Sequence, residues 1–111
     1  MNIHEERNDG VLILGLEGRL DAISSKIFEE KALATIDAGE TRLVMDLSRL
    51  DYVSSAGLRV FLLAFKRLNP AGGKLVLCSL QEPVKEVFEI VGFYSILAIV
   101  GSRDEALRSF R

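Results

Sequence analysis

The stretch that decides the fold is Val44-Met45-Asp46-Leu47-Ser48-Arg49-Leu50-Asp51-Tyr52-Val53-Ser54-Ser55-Ala56-Gly57-Leu58-Arg59-Val60. It opens inside a continuous apolar run, Leu43-Val44-Met45, of the kind found in a strand buried on both faces. That strand is expected over Thr41 to Leu47. After Ser48-Arg49-Leu50-Asp51 a very short strand, Tyr52-Val53, is expected to lead into Ser54-Ser55-Ala56-Gly57. A helix then follows to about Leu68. Leu58, Phe61, Leu62, Phe65 and Leu68 recur at helical spacing and read as its core-facing stripe. Strand, small-residue turn, helix is the unit from which the rest of the chain is read.

Upstream, Asn2 to Arg7 reads as an edge strand and Asn8-Asp9-Gly10 as a turn. Val11 to Leu16 is the next strand, which Gly18-Arg19-Leu20-Asp21 leaves. Ser24 or Ser25 can cap a helix running to about Ala38, with Phe28, Ala32, Leu33 and Ile36 on one broad face. Downstream, Asn69-Pro70-Ala71-Gly72-Gly73 ends the signature helix, and Lys74 to Cys78 is another buried strand. Pro83 sits where a helix begins, with Val84, Val87, Phe88 and Val91 as its apolar stripe before Gly92. Ile96 to Val100 reads as the last strand. Ser102-Arg103-Asp104-Glu105 has capping-box spacing and opens a short helix burying Ala106, Leu107 and Phe110. Strands separated by helical patterns imply right-handed crossovers. The expected fold is α/β: one domain over residues 1–111, a mostly parallel central sheet of about five strands, and about four helices.

Composition narrows the function. The chain has 111 residues, 49% of them hydrophobic, enough to fill one core, and a formal net charge of −2. That balance lacks the basic footprint of a nucleic-acid binder. One His and one Cys cannot make a structural zinc site or an internal disulfide. The polar, acidic N-terminus and short apolar runs predict no signal peptide and no membrane insertion, and a cytoplasmic protein. His4 reads as a solvated strand residue with no nucleophile beside it, and Cys78 as a buried apolar side chain. Glu29-Glu30 reads as a solvated helix face, and no phosphate loop is present. No catalytic residue, cofactor or metal is expected.

One place stands apart. Ser54-Ser55-Ala56-Gly57 carries little side-chain bulk, so another surface can approach closely. It also lies at a helix start, where free N–H groups and the positive dipole end tolerate a phosphate. A hydroxyl there is a candidate phosphoacceptor. The plainer reading is a helix N-cap, worth roughly 1 kcal/mol, and local chemistry alone leaves both open.

The quoted stretch resembles the central signature of STAS domains, in particular bacterial anti-sigma factor antagonists: a strand, then D-L-S-x-[VL]-x-[YF]-[IVM]-[DS]-S-[STA]-G-[LI], then a helix. Gly18-Arg19-Leu20-Asp21, Gly72 to Cys78 and Pro83 to Phe93 agree with the family in order and spacing, across essentially the whole chain. The resemblance aligns Ser55 with the family's phosphorylatable serine and leaves Ser54 as second choice. Ser54 stands where many members carry Asp, and Ala56 where many carry Ser or Thr.

The resemblance implies a partner-switching regulator without catalytic activity, monomeric when free. Unphosphorylated, it would bind an anti-sigma factor that is also a Ser/Thr kinase, freeing the sigma factor. The kinase would phosphorylate Ser55 and a metal-dependent Ser/Thr phosphatase would reverse it. The implied contact face comprises Asp21, Ser54, Ser55, Ala56, Gly57, Arg59, Val60 and Leu63, with Lys66 beside them. Val60 and Leu63 fall off the helix's expected core stripe, which leaves two readings open for both: an apolar contact patch or burial against a neighbouring helix. The alternative is a STAS subunit docked constitutively in a transporter, such as a lipid ABC transport system, or in a signalling scaffold.

Overall fold

The structure, a computed structural model, describes all 111 residues. Two strands, β1 (Asn2–Asn8) and β2 (Val11–Leu20), form an antiparallel hairpin. There follow α1 (Ala22–Asp37), β3 (Arg42–Val53), α2 (Ser55–Leu68), β4 (Lys74–Cys78), α3 (Glu82–Ile90), β5 (Ala98–Val100) and α4 (Arg103–Arg108). The strands lie in the order β1-β2-β3-β4-β5, and every pair after the hairpin is parallel. The expected α/β architecture, mostly parallel with five strands and four helices, is the one found.

Each parallel crossover moves one strand along the sheet in the same direction, so α1, α2 and α3 share one face. Their apolar sides close over Leu12, Leu14, Leu16, Leu43, Met45 and Leu77. Phe28, Phe61, Phe88 and Phe93 form a run through this layer, with ring centroids 5.2, 5.4 and 5.6 Å apart and rings tilted or edge-on. Such arrangements place the positive ring edge against a neighbour's negative face.

The other face is covered only by α4, over Val11, Ile13, Val44, Val76 and Cys78. Burial there pushes the Cys78 thiol up to about 11, so it behaves as an apolar side chain. Polar contacts hold so short a helix down. Arg103 places Nε and Nη2 at 3.0 and 2.8 Å from Asp46 Oδ2, and Nη1 at 2.8 Å from Glu6 Oε2. At the other end, Arg42 donates to the Phe110 carbonyl at 2.7 Å and Lys74 donates to the Ser109 carbonyl. Both cations sit where the helix dipole is negative.

Asp46 is buried. Burial opposes its charge, but the Ser48 N–H at 2.9 Å and the Arg103 guanidinium outweigh that and hold the carboxyl below its ordinary value. A depressed carboxyl stabilises the fold above its unfolded pKa and loses that contribution as pH falls through the folded value. Asp46→Asn is therefore expected to cost about 1–3 kcal/mol at neutral pH. Urea denaturation should show that gap closing as the pH falls below the unfolded carboxyl value, about 3.9. A gap that stays constant from neutral to acid would contradict this account of α4 docking.

Several boundaries differ from the sequence-based expectation. Tyr52-Val53 is no separate strand. β3 runs unbroken through the polar Ser48–Asp51 segment, pairing Glu17 with Arg49 and Leu20 with Val53 around two irregularities in register. β2 extends past Leu16 to Leu20, and the last strand begins at Ala98 rather than Ile96. Ser102 caps α4 through the Glu105 N–H at 3.2 Å. The reciprocal half of the box is replaced, however, because the Glu105 carboxylate meets the Ser102 hydroxyl instead, at 3.4 Å. On α3, Val84 and Phe88 are buried and Val91 is exposed, since the helix ends at Ile90.

Candidate functional site

β2 and β3 end side by side, and a helix starts directly from each. Leu20 pairs with Val53, and the Ser54 N–H donates to the Leu20 carbonyl at 2.9 Å. The first helix is capped by Asp21, not by Ser24 or Ser25. Its carboxylate accepts from the Ser24 N–H at 2.9 Å, while the Asp21 N–H donates to Ser24 Oγ at 2.9 Å. Ser24 thus supplies the return half of a capping box. The Ser24 N–H and hydroxyl hold the Asp21 carboxyl below its usual range. Asp21 is exposed, as a contact residue needs to be, but its carboxylate is already engaged in starting the helix.

α2 begins differently. Ser54 is the N-cap, its hydroxyl accepting from the Gly57 N–H at 3.2 Å. Ser55 is the first helical residue; it is exposed, and its hydroxyl takes part in none of the protein's side-chain hydrogen bonds. No acidic residue lies in the first turn of α2. The two serines therefore divide the readings that the sequence left open: Ser54 is the cap and Ser55 the free hydroxyl. Ser54→Ala is expected to lose about 1 kcal/mol in urea denaturation. Ser55→Ala should stay within about 0.5 kcal/mol of wild type. Equal losses in both would mean that Ser55 is structural.

Gly57 lets the turn close. A Cβ there would lie 2.7 Å from Leu20 Cδ2 and 3.0 Å from Val53 Cγ2, inside ordinary contact. The small residue brings the start of α2 against the ends of β2 and β3, and so presents Ser55 at the rim.

Two residues of the expected contact face turn out otherwise. Val60 is buried, only 1% exposed, so it offers no surface to a partner. The stripe facing the sheet is Gly57, Val60, Phe61, Ala64 and Leu68, with Leu58, Leu62 and Phe65 half-buried beside it. Small Gly57 and Ala64 approach the sheet most closely and carry Val60 inward with them. Leu63 is half-buried, on the same side of α2 as Arg59 and Arg67, both of which reach α1. It belongs mainly to the helix–helix seam. Arg59 and Lys66 are exposed, and Ala56 is half-buried.

Apolar surface does occur here, but on α1. Ile23 is 78% and Ile27 58% exposed, one turn apart on the first turns of the helix. Tyr52, at the end of β3, is partly exposed with the Arg19 guanidinium 4.2 Å above its ring. The sequence carried a signal for the isoleucines. They lie well away from the Phe28, Ala32 and Ile36 face that any helix here must bury.

The STAS domain family model matches residues 2–106. The chain is 46% identical over 111 residues to a candidate anti-sigma factor antagonist of Bordetella bronchiseptica, BtrV, covering 100% of this chain and 96% of that protein. It is 30% identical over 108 residues to the anti-sigma F factor antagonist of Paenibacillus polymyxa, covering 96% and 92% of the two. Among solved structures, a candidate anti-sigma factor antagonist of Thermotoga maritima superposes with a TM-score of 0.92, over 96% of this chain and 92% of that one. At 22% identity that likeness speaks for the fold.

Proposed function

The chain belongs to the STAS domain family, and from that premise we propose that it is an anti-sigma factor antagonist switched by phosphorylation of Ser55. The unphosphorylated form docks on an anti-sigma factor that is also a Ser/Thr kinase, and the sigma factor is released. The kinase moves the γ-phosphoryl of ATP to Ser55 Oγ. The Oγ–P bond forms, the bond to the departing ADP breaks, and the hydroxyl proton passes to a base on the kinase. A metal-dependent Ser/Thr phosphatase hydrolyses the ester and restores the first state. The protein's part in this cycle is binding, not catalysis.

The observation that carries the reading is the division of labour at the start of α2. Ser55 presents a free, exposed hydroxyl on a turn without bulk, while Ser54 holds the helix. A phosphate at the first helical position meets the positive end of the dipole, so the modified chain keeps its fold. What changes is the surface, which gains a charge of about −1.5 to −2.

The docking face in this reading is the Ser54–Gly57 turn with Arg59, flanked by Ile23 and Ile27 in place of Val60. Two relatives described as antagonists, at 46% and 30% identity, weight this reading over that of a transporter subunit. No helix is long and apolar enough to cross a membrane, and we place the protein in the cytoplasm, where its partners would be met. The test is capture of partners from the source cell on wild-type, Ser55→Ala and Ser55→Asp chains. A kinase of the anti-sigma type retained by the first two and lost by the third is the expected result. Retention by all three would defeat the switch.

A further inference from the structure

Arg59 holds the longest of the ion pairs in the protein. Its Nη2 lies 3.5 Å from Glu29 Oε1 on α1, whereas Arg67, two turns further along α2, sits 2.8 Å from Asp37. Both pairs join residues 30 apart in sequence, so the two helices run side by side in register. Ser55 stands four residues before Arg59 on α2, on the same file of side chains, where helical neighbours meet. The Arg59 side chain is 69% exposed and Glu29 32%, so the guanidinium is held loosely. The other charged groups at this end are Lys26 on α1, exposed and in no ion pair; Asp21, engaged at the cap; and Arg19, lying over Tyr52.

We infer that phosphorylation of Ser55 transfers Arg59 from Glu29 to the phosphate. This rests on the reading of Ser55 given above. A phosphoserine offers more charge than a carboxylate and three acceptor oxygens, which suit the forked donors of a guanidinium. An anion four residues N-terminal to a cation is also the favourable order on a helix. The exchange leaves the Glu29 carboxylate without its cation. One modification therefore changes the docking face twice: it adds the phosphate on α2 and uncovers a carboxylate on α1. The second pair, Arg67 with Asp37, lies too far along the helix to take part and keeps the two helices joined.

The test uses the full chain carrying phosphoserine at position 55, installed by genetic encoding so that no kinase is needed. A ³¹P titration reads the second phosphate pKa, ordinarily about 6. The wild-type value is expected to lie about half a unit below that of Arg59→Gln, the size of shift an exposed ion pair produces. Arg59→Lys should recover part of the shift. Glu29→Gln, which removes the competitor, should lower the value further, and Arg67→Gln should leave it at the wild-type value. Arg59→Gln titrating together with wild type would overturn the exchange. So would an equal upward shift in Arg67→Gln, which would show a diffuse field rather than a partner. Because the phosphate is installed directly, such a result counts against the exchange alone; an unmodified Ser55 in the source cell would count against the proposed function alone.

Discussion

Ser55→Asp is expected to bind the cognate anti-sigma kinase at least about 100-fold more weakly than the wild-type chain, with Ser55→Ala within about threefold of it. Ser55 lies at the rim where two helices start, on a turn made thin by Ala56 and Gly57. A partner that closes over this turn removes water from the position of the hydroxyl. A small neutral group tolerates that, whether hydroxyl or methyl. A carboxylate without a partner does not, and an uncompensated charge buried at an interface costs about 2–5 kcal/mol. Aspartate carries a smaller charge than phosphoserine, so its effect is a lower bound on that of the modification. The effect should appear mainly in the dissociation rate, because the charge acts after close contact forms. Titration calorimetry with the purified kinase measures it. Equal dissociation constants for all three chains would place the contact elsewhere.

The largest effect on stability is expected from Phe61→Ala, about 3–5 kcal/mol in urea denaturation. Phe61 is fully buried on α2, with Phe28 of α1 on one side and Phe88 of α3 on the other, at centroid distances of 5.2 and 5.4 Å. Truncation removes the ring's burial and both aromatic contacts, and leaves a void that three separate helices must collapse to fill. Against a total of about 5–15 kcal/mol for an ordinary domain, the loss is a large share. A change below about 1 kcal/mol would mean that the helices pack on the sheet independently, without the aromatic run between them.

The strand and helix order was legible because buried parallel strands leave continuous apolar runs such as Leu43-Val44-Met45, and helices leave spaced ones. The end of β3 was not. Ser48, Arg49 and Asp51 are polar because they are exposed, with only Leu50 buried among them, so an extended strand looked like a loop. The stripe of α2 was displaced for a related reason. Periodicity gives weight to large residues, whereas Gly57 and Ala64 face the sheet because they are small. That displacement is what put Val60 on the wrong surface. Ser24 or Ser25 was expected to cap α1 and Asp21 does so instead, because an aspartate accepts the first free N–H groups as well as a serine. Which serine is free and which is engaged depends on one 3.2 Å hydrogen bond, and no pattern of residue types encodes it.

The strict sequence order of the sheet has a consequence for how the molecule is made. Each strand pairs with the one synthesised just before it, so every new strand meets a partner that has already been made. Each parallel pairing still closes over a whole crossover helix, so it forms more slowly than the β1–β2 hairpin. On the ribosome the sheet can grow at a single edge as residues emerge. The rim that carries Ser55 is assembled once α2 has left the tunnel, while the closing helix on the opposite face is still to come. The proposed docking surface is thus among the first parts of the protein to exist, and the Asp46–Arg103 latch among the last.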